Sequence, residues 1–513
     1  MGRRNVLALV AVVCGLGAVL GAVLLLTSNR TTTVHGNVLV QGLTRIDAIN
    51  SPTVVHNPKN PSNLALTYRV DRPNYSAALQ YSMDSGKTWA TTELPLPNDT
   101  KVCSATLAGK PCPFGPDVAF DRDGKLYVIY VNLWGNGNGP ENLWIATSTD
   151  GGRSLSPPTR IAGSTSSEIF QARMAIAPDG TIHITWLQGG ETGNLSLLGR
   201  NPIVSVHSTD GGQTWTQPVV ISDSGRDRVA SASPAVDRNG VVTVLYQDYK
   251  GDRRDFENLE GPVFEDPWAL VVTRSADGGK TWTPGVEFES GLIPTRRFLV
   301  YLPESPGVAV GPDGAIYTTW MDGRNGDEDV FLKKSGDGGK TWTAPIRVND
   351  NPMKDGTNQY LPRVAVSDTG RVDIVFYDRR RDERNIMTDA FLASSTDGGK
   401  TFTNRRLTSE PFDSGVGPIV SLLHGNDFGT KLGLDSWGDT VVAAWTDTRE
   451  GSKADDQQDI GTTRVSLASD PPFLGSWPVI LLLFVVGAGA LVVALRQGRT
   501  APVEPEEEET AKT

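Results

Sequence analysis

The sequence predicts an all-β protein, a β-propeller of four-stranded blades with seven blades favoured over six. Three observations predict it. An eight-residue box recurs six times at intervals of 60 to 67 residues. A repeated pair of β-rich segments stands upstream of the boxes. The chain also carries 55 Gly and 33 Pro in 513 residues, too many turn-formers for a helical protein. A chain this long calls for a repeat architecture if it is to form one domain.

The boxes run Ser82 to Trp89, Ser148 to Leu155, Ser208 to Trp215, Ser275 to Trp282, Ser335 to Trp342 and Ser395 to Phe402. Each reads Ser-x-Asp-x-Gly-x-Thr/Ser and then a large apolar residue. This is hairpin-turn chemistry: the Asp carboxylate accepts N–H groups of its own turn, and the Gly takes a positive φ. The Thr hydroxyl is expected to tie the strands, and the eighth residue to seat the turn on its neighbour. Asp84, Asp150, Asp210, Asp277, Asp337 and Asp397 are accordingly read as structural.

The upstream segments supply the first two strands of each blade, as in Arg173-Met-Ala-Ile with Ile182-His-Ile-Thr-Trp186, and Arg363-Val-Ala-Val with Val372-Asp-Ile-Val-Phe376. They are rich in β-branched and aromatic residues. A third strand leads into the box and a fourth leaves it, giving blades of about 60 residues. Residues 31–472 hold about seven such units. The last unit, from Lys431 through Thr440–Trp445 to Asp459–Val465, lacks a box and a fourth strand. Asn37-Val-Leu-Val40 is unused at the other end and is expected to complete it, closing the ring without an open edge.

Val6–Leu26 and Phe473–Leu495 are uncharged, mostly apolar runs long enough to cross a bilayer. The expected organisation is a signal anchor or signal peptide over 1–30, an extracellular propeller over 31–472, a transmembrane helix over 473–495 and an acidic cytoplasmic tail over 496–513. Arg3 and Arg4 before the first run, and Arg496 and Arg499 after the second, place the propeller on the outer side of a cell membrane. The net charge of −11 falls on the exported part, which argues against nucleic acid as a partner.

Box turns and first-to-second strand turns share one face of the ring. The other face has longer, more varied loops, so a site is expected there. Its loops bring Asp322 with Arg324, Asp378 with Arg380, and Asp447 with Arg449. These are read either as structural ion pairs or as Arg residues facing a ligand carboxylate. Tyr301 with Glu304, near Arg296 and Arg297, and Tyr360 are weak candidates for nucleophilic glycosidase chemistry. Asp327-Glu328-Asp329 is read as a solvated loop in preference to a calcium site. The five His show no metal-ligand spacing, and no metal or cofactor is expected. Cys103 and Cys112 are expected to form a disulfide in an exported domain.

The boxes carry a resemblance. The chain resembles the Asp-box (bacterial neuraminidase repeat) superfamily of sialidase-like β-propellers over residues from about 34 to 470. That resemblance implies three Arg gripping a sugar carboxylate, a Tyr–Glu nucleophile and an Asp acid/base. Asp71, flanked by Arg69 and Arg72, is a loose match for the acid. The family's opening Arg-Ile-Pro step reads Asn50-Ser51-Pro52 here, with Arg45-Ile46-Asp47 just ahead. The function expected is recognition of glycans or surface proteins through the long-loop face, without full sialidase chemistry. The alternatives are an exo-glycosidase of sialidase type and an assembly factor with no small ligand.

Overall fold

The computed structural model describes residues 32–42, 47–97, 112–134, 139–163, 168–189, 201–252, 266–293, 306–420, 425–426, 428–467 and 485. Seven antiparallel sheets follow one another along the chain. Blade 1 takes Ala48–Asn57, Asn60–Arg72, Ser76–Ser82 and Ala90–Glu93; blade 2 takes Cys112–Phe120, Leu126–Trp134, Gly139–Ser148 and Thr159–Ala162. Blade 3 takes Ile169–Ile176, Ile182–Gln188, Ile203–Ser208 and Val219–Val220; blade 4 takes Val229–Val236, Val242–Asp248, Trp268–Ser275 and Val286–Leu292. Blade 5 takes Gly307–Val310, Ile316–Asp322, Asp329–Ser335 and Ile346–Arg347; blade 6 takes Gln359–Val366, Val372–Asp378, Met387–Ser395 and Thr403–Arg406.

Blade 7 has Gly433–Trp437, Thr440–Asp447 and Asp459–Ser466 from the end of the chain, and Val38–Val40 from its beginning. Val38 lies opposite Thr462, Leu39 opposite Gly461 and Val40 opposite Ile460, antiparallel. The Thr462 hydroxyl adds a bond of 3.1 Å to the Val38 carbonyl. The spare segment at residues 37–40 therefore closes the ring, and the blade count is seven.

Apolar residues on facing sheets weld the blades. Leu79, Val118 and Tyr130 join blades 1 and 2; Ile129, Ile145 and Trp186 join 2 and 3. Val40, Val54 and Ile460 join 7 and 1. Between blades 6 and 7, the Tyr377 hydroxyl oxygen accepts the Thr446 N–H at 2.8 Å.

The boxes form a repeated network. In the fifth blade, Asp337 Oδ1 accepts the Thr341 N–H at 2.9 Å and the Lys340 N–H at 3.1 Å, and Oδ2 accepts the Thr341 hydroxyl at 2.6 Å. Ser335 Oγ donates to Asp337 at 2.9 Å and accepts the Gly339 N–H at 2.8 Å. Gly339 has φ of 83°, as the turn requires. The Thr hydroxyl thus bonds its own turn's Asp and does not tie the strands, because four residues on the chain has curled back over the carboxylate. Trp342 stacks on Phe288 of blade 4 at 4.1 Å, seating the turn on its neighbour as expected.

Cys112 is in a disulfide; its expected partner, Cys103, lies outside the described residues. So does Val6–Leu26, and of Phe473–Leu495 only Val485 is described. Among the described residues no helix is long and apolar enough to cross a membrane.

The box hydrogen bonds give an acid limit to stability. The Thr88 hydroxyl and N–H hold the Asp84 carboxyl down at about 2 from an ordinary 3.8. Asp210, Asp277, Asp337 and Asp397 are lowered for the same reason. The unfolded chain takes up these protons first, so the contribution is complete above about pH 4 and is lost as the pH falls toward 2. Urea midpoints by circular dichroism are expected to drop across that window; equal midpoints at pH 4 and pH 2.5 would contradict it.

Candidate functional site

The first strand of each blade is the innermost. In five blades it carries a residue with positive φ: Ser51 (56°), Gly115 (55°), Gln171 (53°), Ser231 (60°) and Leu361 (51°); in blade 7, Gly429 (89°) precedes it. In blades 1, 2, 3, 4 and 6 the strand register shifts at this point, marking a β-bulge. Left-handed backbone at a non-Gly residue costs about 1–2 kcal/mol, and bulges re-aim the side chains beside them. Two residues past each positive-φ bulge residue stand Thr53, Asp117, Arg173, Ser233 and Arg363, with Lys431 two residues past Gly429 ahead of blade 7 and Gly307 at the equivalent place in blade 5.

These positions meet at the axis. Asp117 Oδ1 of blade 2 accepts the Thr53 hydroxyl of blade 1 at 3.0 Å and pairs with Arg173 Nη1 of blade 3 at 3.1 Å. Asp117 Oδ2 accepts the Met174 N–H at 3.0 Å. Lys431, entering blade 7, brings Nζ to 3.9 Å from Asp117 and to 3.4 Å from the Pro116 carbonyl. Blade 1 separates blades 7 and 2, so only convergence on the axis allows that contact. Arg363 of blade 6 acts on Asp117 through its charge.

Among the described residues, Arg173, Lys431 and Arg363 all act on Asp117. Burial by itself raises the Asp117 pKa, but Arg173, Lys431, the Met174 N–H and Arg363 outweigh it and hold the carboxyl below its usual range. Burial, then the charges of Arg173, Arg363 and Arg69, lowers Lys431 well below an ordinary lysine despite Asp117. Burial pushes Arg173 down to about 10. Arg69 is already committed, 3.1 Å from Asp71. Asp71 also accepts from Asn50 Nδ2 at 2.7 Å, and that amide reaches Gln458 at 3.1 Å. At the place where the resemblance implies an Arg, Asn50 therefore serves to hold Asp71.

The residues singled out from the sequence fall elsewhere. Arg324 lies 2.5 Å from Asp322 and 2.8 Å from Glu289 of blade 4, with its guanidinium 5.1 Å over Phe331. Arg380 pairs with Asp378 at 2.7 Å and with Asp350, and lies 4.4 Å over Phe391. Arg449 pairs with Asp447 at 2.7 Å and donates to Ser409 Oγ at 2.7 Å. All three guanidiniums are thus bonded to carboxylates of the propeller itself. Tyr360 is fully buried, its hydroxyl 3.1 Å from Thr388 Oγ1 and its ring 5.1 Å from Tyr377. Tyr301 and Glu304 lie outside the described residues.

The 327–329 stretch corrects the reading of a solvated loop. All three residues are buried, and Asp329 binds Arg347 Nε at 2.6 Å, Asn349 at 2.7 Å and Asn325 at 2.6 Å. A carboxylate so engaged anchors the outer strand of blade 5. Sequence reasoning quoted Arg173, Arg363 and Lys431 only as strand residues. Their signal was a charge directly before an otherwise apolar inner strand.

No family model matches the chain. A sialidase of Bacteroides fragilis (strain YCH46) is 24% identical over 222 residues, covering 41% of this chain. The chain spans 38% of that relative's length. Among solved structures, the Hadza microbial sialidase Hz136 is 20% identical with a TM-score of 0.45, over 65% of this chain and 64% of its own. An ulvan lyase is 12% identical with a TM-score of 0.51, over 83% of this chain and 95% of its own, and shares the fold. With its seven four-stranded blades, the chain has the β-propeller fold.

The paired loop arginines yield a stability prediction. Arg324→Ala leaves Asp322, whose side chain is fully buried, without its cation. Allowing for the partial exposure of Arg324, the loss is expected to be about 2 kcal/mol, read from urea unfolding. A variant as stable as the parent would show that the pair contributes nothing.

Proposed function

We propose that this chain is a cell-surface propeller, held at the membrane by its terminal segments, that recognises carboxylate-bearing sugars at the axial cationic cluster. The observation carrying this reading is that Arg173, Lys431 and, through its charge, Arg363 gather around the carboxylate of Asp117. A ligand carboxylate brought to such a gathering of cations meets favourable charge in a weakly screened setting. Arg presents parallel N–H groups to such a group. The sialidase relative adds support for a sugar acid as ligand.

Hydrolysis of a terminal sugar acid is the second reading. It is favoured by Asp71, which sits at the end of the second strand of blade 1 beside Arg69, whose charge reaches Lys431 of the cluster. Recognition is preferred because Tyr360 is packed in the core and the three long-loop arginines are neutralised.

Calorimetry on the full chain in detergent, titrated with N-acetylneuraminate, is expected to show binding that Arg363→Ala weakens at least tenfold. Galactose, which lacks the carboxylate, is expected not to bind. Affinity should fall as rising pH takes the proton from Lys431, whose pKa lies well below 10.5. Equal affinity for the two sugars, or an unmoved Arg363→Ala, would reject the reading. Release of fluorophore from a 4-methylumbelliferyl sialoside, lost in Asp71→Ala with binding retained, would instead establish the hydrolytic reading.

A further inference from the structure

A second group of polar side chains lies away from the axis, where blade 2 meets the entry to blade 3. Glu141 on the third strand of blade 2 stands directly opposite Asn132 on the second. Directly opposed residues share a face of the sheet, with Cβ atoms about 5 Å apart. Gly139, two residues before Glu141, presents the same face, and a Cβ built on it would lie 2.6 Å from Glu168 Oε1. Leu133, next to Asn132, turns the other way and packs with Tyr75 of blade 1. Glu168 thus comes over from blade 3 onto the face that holds Glu141 and Asn132.

Its backbone is pinned there: the Glu168 carbonyl accepts the Gly189 N–H at 2.8 Å and Gln188 Nε2 at 3.0 Å. Glu168 is 6% exposed and Asn132 1% exposed. Glu168 Oε2 and Asn132 Oδ1 have no hydrogen-bond partner among the described residues. A buried oxygen without a donor costs about 1–3 kcal/mol, and more when it is charged. Two such atoms beside a second buried carboxylate call for a positively charged occupant.

We propose that Glu141, Glu168 and the amide oxygen of Asn132 hold a calcium ion that bridges blades 2 and 3. Two carboxylates match its charge, and carboxylate and amide oxygens are its ordinary donors, in a geometry less demanding than the octahedron of magnesium. In the absence of a cation, burial and then the charge of Glu141 push the Glu168 carboxyl up to about 7; an ion there reverses the shift. Glu168 lies five residues before Arg173 on one inner strand, across the Gln171 bulge. The ion would therefore brace the strand that carries the axial cation. The proposal does not depend on the anion reading.

Melting curves of the EDTA-treated full chain are the test. Calcium is expected to raise Tm saturably, by several degrees, with magnesium at least tenfold less effective. Glu168→Gln is expected to melt higher than the parent in EDTA, because it removes like-charge repulsion, and to lose the calcium response. Glu141→Gln gives the same readings if Glu168→Gln does not fold. Terbium luminescence, sensitised by tryptophan, should titrate with one ion per chain in the parent and not in Glu168→Gln. No calcium response in the parent, or an undiminished response in both variants, overturns the site. Stabilisation by acid through about pH 7 with no calcium response also overturns it, and assigns the pair a shared proton.

Discussion

Everything at the axis depends on a short stretch of strand pairing between the beginning and the end of the propeller, Thr33–Val34 and Val38–Val40 against Asp459–Ser466. Val38–Val40 lies on Ile460–Thr462, more than 400 positions along the chain, and this joins blade 7 to the start of blade 1. Without that ladder the ring is an open arc with an unpaired edge, and the first strands have no common centre. The contacts of Asp117 with Thr53, Arg173 and Lys431 come from blades 1, 3 and 7, so they exist only in the closed ring.

Two repeated devices act at different levels of each blade. The box at the third turn satisfies its own N–H groups with one Asp and one Ser, and rests an aromatic on the blade before it. Its chemistry is local, because the Asp and Ser oxygens are used within the turn. The bulge in the first strand does the reverse. It places Ser51, Gln171, Ser231 and Leu361 in a backbone region that favours Gly, and such strain gathers where a structure aims side chains at a site. The two devices explain why one face is uniform while the polar chemistry collects along the inner strands.

The charges divide in the same way. Arg324, Arg380 and Arg449 follow their Asp partners by two residues, and the short loop folds each Arg back onto that Asp and onto the neighbouring outer strand. At the axis, four cations, Arg69, Arg173, Arg363 and Lys431, face the carboxylates of Asp71 and Asp117. This gathering of cations lies inside a chain whose net charge is −11. Weak screening in the interior strengthens the attraction between Asp117 and the cations around it.

Strand order, blade length, the closing segment and the role of the box Asp residues were legible in the sequence, because each rests on interactions within a blade or on a pattern that repeats. Seven blades followed from the spacing of the boxes, and Asn37–Val40 stood out because one blade lacked a strand. The axial cluster was not legible in the same way. Arg173 and Arg363 read as ordinary strand residues, and nothing in their neighbourhood along the chain names Asp117 as a partner. Which charges are paired locally and which are gathered at the centre is decided by the closed ring, because it sets the distance between inner strands that are up to 379 residues apart.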